Sequence, residues 1–214
     1  ELSGDRAVAL LASPEDGARR LAEAIRGARA TVDAQLLFAE PRWGEAPDPL
    51  LDALVDAARG GARVRLLLDG HVDAGRNAAT AGRLRALAAA EGLAIEVRVD
   101  AAPRTLHAKA VVVDGRLAYV GSMNWGRASA LENREVGLLV EDARLAAWLA
   151  AEMGEDWEGP APEARREVAA APPALWLAAA LSARSWRRRR ARPWSGRSTR
   201  RSTACPRTGR RPRT

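Results

Sequence analysis

Apolar residues along the first three-quarters of the chain alternate between short continuous runs and stripes at helical spacing. "VALLA" from Val8 reads as a strand, and "SPEDGARRLAEAIRGA" from Ser13 opens with Ser-Pro and two acidic residues before placing Leu21 and Ile25 four apart, which predicts an amphipathic helix. "TVDAQLLF" from Thr31 is strand-like, "PRWGEAPDP" reads as a loop, and "LLDALVDAARGG" as a helix closed by Gly60 and Gly61. "ARVRLLLDG" alternates as a buried strand, a helix runs from about Asn77 to Glu91 and stops at Gly92, and "LAIEVRVD" follows as a strand. The period then changes to strand, turn, strand: "HAKAVVVD", a turn at Gly115, and "LAYVG". "NREVGLLVED" adds a strand and "ARLAAWLAAEMGEDW" a final helix with Leu145, Trp148, Leu149 and Met153 on its apolar face. This alternation predicts an α/β fold of layered sheet and helices.

Composition divides the chain. Residues 1–158 have the apolar content of a folded domain, 159–183 have linker composition, and 184–214 are Arg-rich and nearly free of aliphatic residues, which predicts a disordered tail. Between Glu167 and Arg184 lies the uncharged run "VAAAPPALWLAAALSA", Pro-interrupted but followed by "RRRR" as a membrane anchor's flank is. We read it as a truncated anchor, the following change of composition suggesting a shifted reading frame. The alternative is a basic tail that touches an anionic membrane surface or nucleic acid. The chain opens at Glu1 with no pattern of a cleaved leader, and the expectation is a piece of a longer polypeptide. Membrane association is favoured over a cytoplasmic protein.

The net charge of +7 suggests nucleic-acid binding until it is located. Residues 161–214 hold 15 of the 34 basic residues and only two acidic ones, a net +13, which leaves residues 1–160 at −6. An acidic body gives no broad electrostatic footprint for a polyanion, so a basic groove has to be local. One cysteine, Cys205, excludes an internal disulfide and a cysteine zinc site.

Lys109 is the only lysine in the chain, and it stands two residues after His107, one of two histidines. In a strand these side chains share a face, about 6.5–7 Å apart along the backbone, and a phosphate fits between them. An imidazole can attack phosphorus, and an ammonium neutralises non-bridging oxygens as a point charge that arginine's planar fork does not reproduce. Beyond the turn, Gly121 lets a ligand approach the backbone, and Ser122 and Asn124 offer a hydroxyl and an amide to the same oxygens. Asn133 and Glu135 repeat the spacing in the next strand, where Glu135 is placed to accept from His107 Nδ1 and leave Nε2 free. Asp114 closes the set, as a catalytic neighbour or as the residue that stabilises the turn beside Gly115.

His107-x-Lys109, Asp114, then Gly121-Ser122-x-Asn124 resemble the HxKxxxxD signature of the phospholipase D superfamily, with looser similarity over residues 7–157. The resemblance implies a mixed β-sheet sandwiched between helical layers. It implies cleavage or transfer of phosphodiesters without metal or other cofactor, through a covalent phosphohistidine, with phospholipid as the leading substrate. It also implies two motifs per active site, and this chain supplies one. The partner is then a second half, upstream in a longer chain or in an identical subunit. Two other classes share the residues: a homodimeric nuclease acting on nucleic acid, and a non-catalytic phosphate-binding half.

His71, in "LLLDGHVDAGRN" with Asp69 and Asp73 nearby, matches no familiar metal-ligand spacing and reads as a loop residue. Trp43 and Trp125 read as packing residues rather than the lining of an entrance.

Overall fold

The computed structural model describes residues 7–159; the linker with its anchor-like run and the Arg-rich tail lie outside the described residues. Nine strands and five helices follow in order among these residues. They are β1 (Ala7–Ser13), α1 (Gly17–Arg26), β2 (Thr31–Leu36), β3 (Arg42–Trp43), β4 (Ala46–Pro47), α2 (Pro49–Arg59), β5 (Arg63–Asp69) and α3 (Ala74–Glu91). Then come β6 (Ile95–Asp100), β7 (Lys109–Val113), β8 (Leu117–Gly121), α4 (Arg127–Leu131), β9 (Glu135–Glu141) and α5 (Ala143–Glu158).

Seven strands form one mixed sheet in the order β1-β9-β8-β7-β2-β5-β6. β2, β5 and β6 run parallel, joined through α2 and α3, as the helical spacings between them require. β7, β8, β9 and β1 are antiparallel to their neighbours, which explains the change of period after residue 107.

Alternation sends Val111, Val113, Tyr119, Val32, Leu36, Val64 and Leu66 to one face, under α1, α2 and α3. Ala110, Val112 and Ala118 face α5, against Ala146 and Met153. The mixed sheet between helical layers is therefore the architecture. Among the described residues no helix is long and apolar enough to cross a membrane.

Several elements differ from the sequence reading. α1 begins at Gly17, because Ser13 still pairs with Glu135 as the last residue of β1. The loop "PRWGEAPDP" contains the short β3–β4 hairpin, and Asp48 caps α2 by accepting from the Leu50 and Leu51 amides. Trp148 is 59% exposed: α5 uses Leu145, Ala146, Leu149 and Met153 against β7 and β8, and Trp148 falls outside that stripe. α4 lacks the length and periodicity that make a helix legible. Trp125 is fully buried, as packing predicts.

Candidate active site

The C-terminal ends of β2, β5, β6 and β8 and the N-terminal ends of β7 and β9 meet along one edge of the sheet, as the pairs Leu36–Lys109, Ala110–Val120 and Gly121–Gly137 fix. His107, Lys109, Ser122, Asn124 and Glu135 all belong to this edge. It is the end where open α/β sheets gather ligands.

Lys109 begins β7 and is buried, 5% exposed. His107 is exposed and precedes the strand rather than lying in it, because the chain crosses over the ends of β5 and β2 before Ala108 joins the ladder through Leu37 N. The two side chains still meet. Lys109 Nζ is 3.1 Å from His107 Nδ1 and 3.5 Å from Nε2, and it donates to the His107 carbonyl at 3.0 Å. Burial lowers the Lys109 pKa, opposed by the nearby Glu135 carboxylate.

Glu135 does not take the place expected of it beside Nδ1. Its Oε2 accepts from the Ser122 hydroxyl, and the neighbour of Nδ1 is Lys109. An ammonium only donates, so a ring nitrogen accepts here, and Nδ1 is the nearer of the two. The Ser122 oxygen also accepts from the Val136 amide at 3.2 Å, tying the end of β8 to the start of β9.

Met123 and Trp125 are buried, and the segment is pinned to the extension of β2 by Trp125 N to Phe38 O at 3.3 Å and Glu40 N to Trp125 O at 2.7 Å. Between them Asn124 is half-buried, and its Oδ1 has no hydrogen-bond partner among the described residues. Asn133 is exposed in the turn before β9, its amide bonded to the Ala128 carbonyl at 2.8 Å. The strand starts two residues later than its spacing with Glu135 suggested.

Gly121 has a packing reason for lacking a side chain. A Cβ there would lie 2.4 Å from Tyr119 Oη, and one on its cross-strand partner Gly137 would lie 2.4 Å from Tyr119 Cε2. The Tyr119 ring fills the space above both glycines. Burial and then Glu135 push its phenol up to about 12.

Asp114 lies at the far end of β7 from Lys109. Its Oδ1 accepts from the Ala30 and Thr31 amides at 2.8 and 2.9 Å, and its Oδ2 from Arg29 N at 2.9 Å. Asp114 and Gly115 both have positive φ, as the centre of a tight hairpin turn requires. Burial works to raise the Asp114 pKa, but these amides and then Arg116 hold it below the usual carboxylate value.

Two further buried polar residues, to which the sequence reading gives no role in the site, stand at the same edge. Asp69, at the end of β5, accepts from three amides, and Asn77 donates to the Leu37 and Asp69 carbonyls at 2.8 and 2.7 Å. The signal available was an Asp closing an otherwise apolar strand in "LLLDGH". His71 contacts the Ala102 carbonyl through Nε2, and no group of three or more His, Cys, Asp or Glu that could hold a metal occurs among the described residues.

The fold and this constellation define a phospholipase D-like domain. Residues 21–157 match the family described as "Cardiolipin synthase, PLD-like domain", and the chain belongs to that family of the phospholipase D superfamily. It is 32% identical over 145 residues to the mitochondrial cardiolipin hydrolase of Homo sapiens, covering 67% of this chain and 52% of that protein. To the phospholipase D of Rickettsia bellii it is 29% identical over 104 residues, 49% of this chain and 48% of that protein. The chain thus spans about half the length of the curated relatives it matches. Among solved structures it resembles the phospholipase D family member Nuc from Salmonella typhimurium, with a TM-score of 0.59 at 23% identity over 72% of this chain and 96% of that one. NucT from Helicobacter pylori follows with 0.56 at 18% identity, over 72% and 98%.

Proposed function

We propose that residues 1–158 form one half of a metal-independent phosphodiesterase site that hydrolyses phospholipid or transfers its phosphatidyl group. The observation that carries this reading is the contact between the buried Lys109 ammonium and the exposed His107 ring at an open sheet edge. In the reaction, an imidazole nitrogen bonds to phosphorus as the bond to the leaving oxygen breaks, and a histidine of the second half protonates that oxygen. Water or an alcohol then gives its proton to the second histidine, attacks phosphorus and releases the first ring. Lys109, Asn124 and Asn133, with the backbone at Gly121, bind the phosphate oxygens, joined by Ser122 when its hydroxyl turns from Glu135.

A neutral ring accepting from Lys109 is the form that attacks phosphorus or takes up a proton, whereas the acid's part calls for the imidazolium. Attack through a ring nitrogen that Lys109 holds requires the ammonium to turn to the phosphate first. Glu135 holds the Ser122 hydroxyl in place and supports the Lys109 charge. Asp114, at the other end of β7, acts in the scaffold.

The second half is an upstream segment of a longer chain or an identical subunit. An uncovered apolar face supports such pairing. Val8, Leu10, Val120, Val136 and Leu138 are each 47–63% exposed, since among the described residues α5 packs on β7 and β8 and not on β9 or β1. The relative named a cardiolipin hydrolase and the −6 charge of residues 1–160 both favour lipid over nucleic acid. The test is an assay of the full-length gene product on cardiolipin vesicles and on DNA, with EDTA present throughout. Release of a phospholipid product supports the proposal. Cleavage of DNA alone replaces it with a nuclease, and inactivity on both replaces it with a binding half.

A further inference from the structure

His107 lies on the segment 101–108, which links β6 to β7 across the ends of β5 and β2, and most of that segment is exposed. Ala102 and Leu106 are its buried points. The Ala102 amide donates to Asp100 Oδ1 at 2.9 Å, and its carbonyl meets His71 Nε2. Leu106, adjacent to His107, packs its side chain on Leu67 and Trp157 and gives its amide to Asp69 Oδ2 at 2.7 Å. On the other side of His107, the Ala108 carbonyl accepts from Leu37 N at 3.0 Å. The reactive ring is therefore carried between two fixed peptide groups.

Asp69 makes the first of these anchors rigid. Its carboxylate is fully buried and divides its oxygens: Oδ1 accepts from the His71 and Val72 amides at 2.9 and 2.5 Å, and Oδ2 from Leu106 alone. Asn77 fixes the same strand end from behind. Its amide donates to the Asp69 and Leu37 carbonyls and its Oδ1 accepts from Ala39 N, so the ends of β5 and β2 are tied to each other. A buried charge held by three amides costs a great deal to displace.

We infer that Asp69 is a positioning residue: through the Leu106 amide it sets where His107 meets Lys109 and the phosphate. The inference rests on the reading of His107 as a reacting group. Orientation of a catalytic group is worth large factors in rate, and a displacement of about 1 Å costs on the order of a hundredfold. Asp69→Asn is the discriminating change. One oxygen can still accept from His71 and Val72, but the amide nitrogen replaces Oδ2 and offers Leu106 N a donor where it needs an acceptor.

The experiment compares wild type, Asp69→Asn and His107→Ala in the full-length protein. Measured are kcat and KM on cardiolipin vesicles, near-ultraviolet circular dichroism, and hydrogen exchange of the Leu106 amide. The expected result for Asp69→Asn is a native spectrum, kcat lower by about 10–100-fold with KM little changed, and faster exchange at Leu106. Wild-type kcat in Asp69→Asn, with His107→Ala inactive, overturns the inference and leaves the functional reading standing. Full activity in His107→Ala overturns the functional reading itself. If Asp69→Asn does not fold, exchange in the wild type decides: Leu106 must be strongly protected between exposed Thr105 and His107, and an amide exchanging as fast as theirs contradicts the anchor.

Discussion

Glu135 accepts a hydrogen bond from Ser122, not from His107, and His107 Nδ1 faces the Lys109 ammonium instead. The carboxylate thus ties the end of β8 to the start of β9, while the lysine meets the ring. Glu135→Gln should keep the hydrogen bond to Ser122 and lose the charge that supports Lys109. Activity should then fall by about 10-fold, less than for loss of His107, with the alkaline limb of the pH–rate profile moved to lower pH. Removing a carboxylate that raises the Lys109 pKa leaves the ammonium easier to deprotonate, which sets that sign. A pH–rate series on both proteins checks it.

Asp114 stands in the motif by sequence but at the opposite end of the strand by structure, where it binds three amides of the α1–β2 connection. Asp114→Ala should cost about 2–3 kcal/mol of stability, read by denaturant unfolding, with kcat per folded molecule near wild type. Its folded pKa is depressed, so its contribution is full above the ordinary carboxylate value of 3.8 and is lost as pH falls through the lower folded value. Acid unfolding of the variant should therefore begin from a lower plateau and lack that component.

How far the site was legible follows from these cases. Periodicity found the seven strands of the main sheet and four of the five helices, because each buries a regular face. The spacing of His107 and Lys109 marked the site because both lie near one strand end. Spacing could not reveal that Asp114 points away from it, since strand alternation fixes the face of a side chain and not its partner. Nor could it connect Asp69 with Leu106, 37 residues later, a contact created only when β5 and the crossing segment meet. Gly121 reads as an approach for ligand because its spacing does not reveal that the Tyr119 ring lies along β8 over it and over Gly137 on the next strand.

Gly137→Ala should therefore destabilise by about 1–3 kcal/mol through overpacking against the Tyr119 ring. Adding Tyr119→Ala should make the second change much less costly than either sum of single effects implies. Thermal unfolding of the four proteins in this double-mutant cycle measures the coupling. Additive effects would place the ring elsewhere.

Asp48 caps α2 from a buried site, and burial raises its pKa from 3.8 to about 7. A raised folded pKa means the folded state holds the proton more tightly, so the associated stabilisation is full below the unfolded value and lost as pH rises through about 7. Asp48→Asn keeps an acceptor for Leu50 N and has no such loss. The variant should unfold at a higher temperature than wild type at pH 8, the difference shrinking towards pH 4; melting curves across this range test it.

The proposed chemistry rests above all on His107. In the full-length protein, with EDTA present, His107→Ala should lower turnover of cardiolipin vesicles by at least about 10²–10⁴-fold while the melting temperature stays near wild type, since an exposed ring contributes little packing. A His107→Ala protein that turns over at the wild-type rate would contradict the account, whatever the remaining residues do.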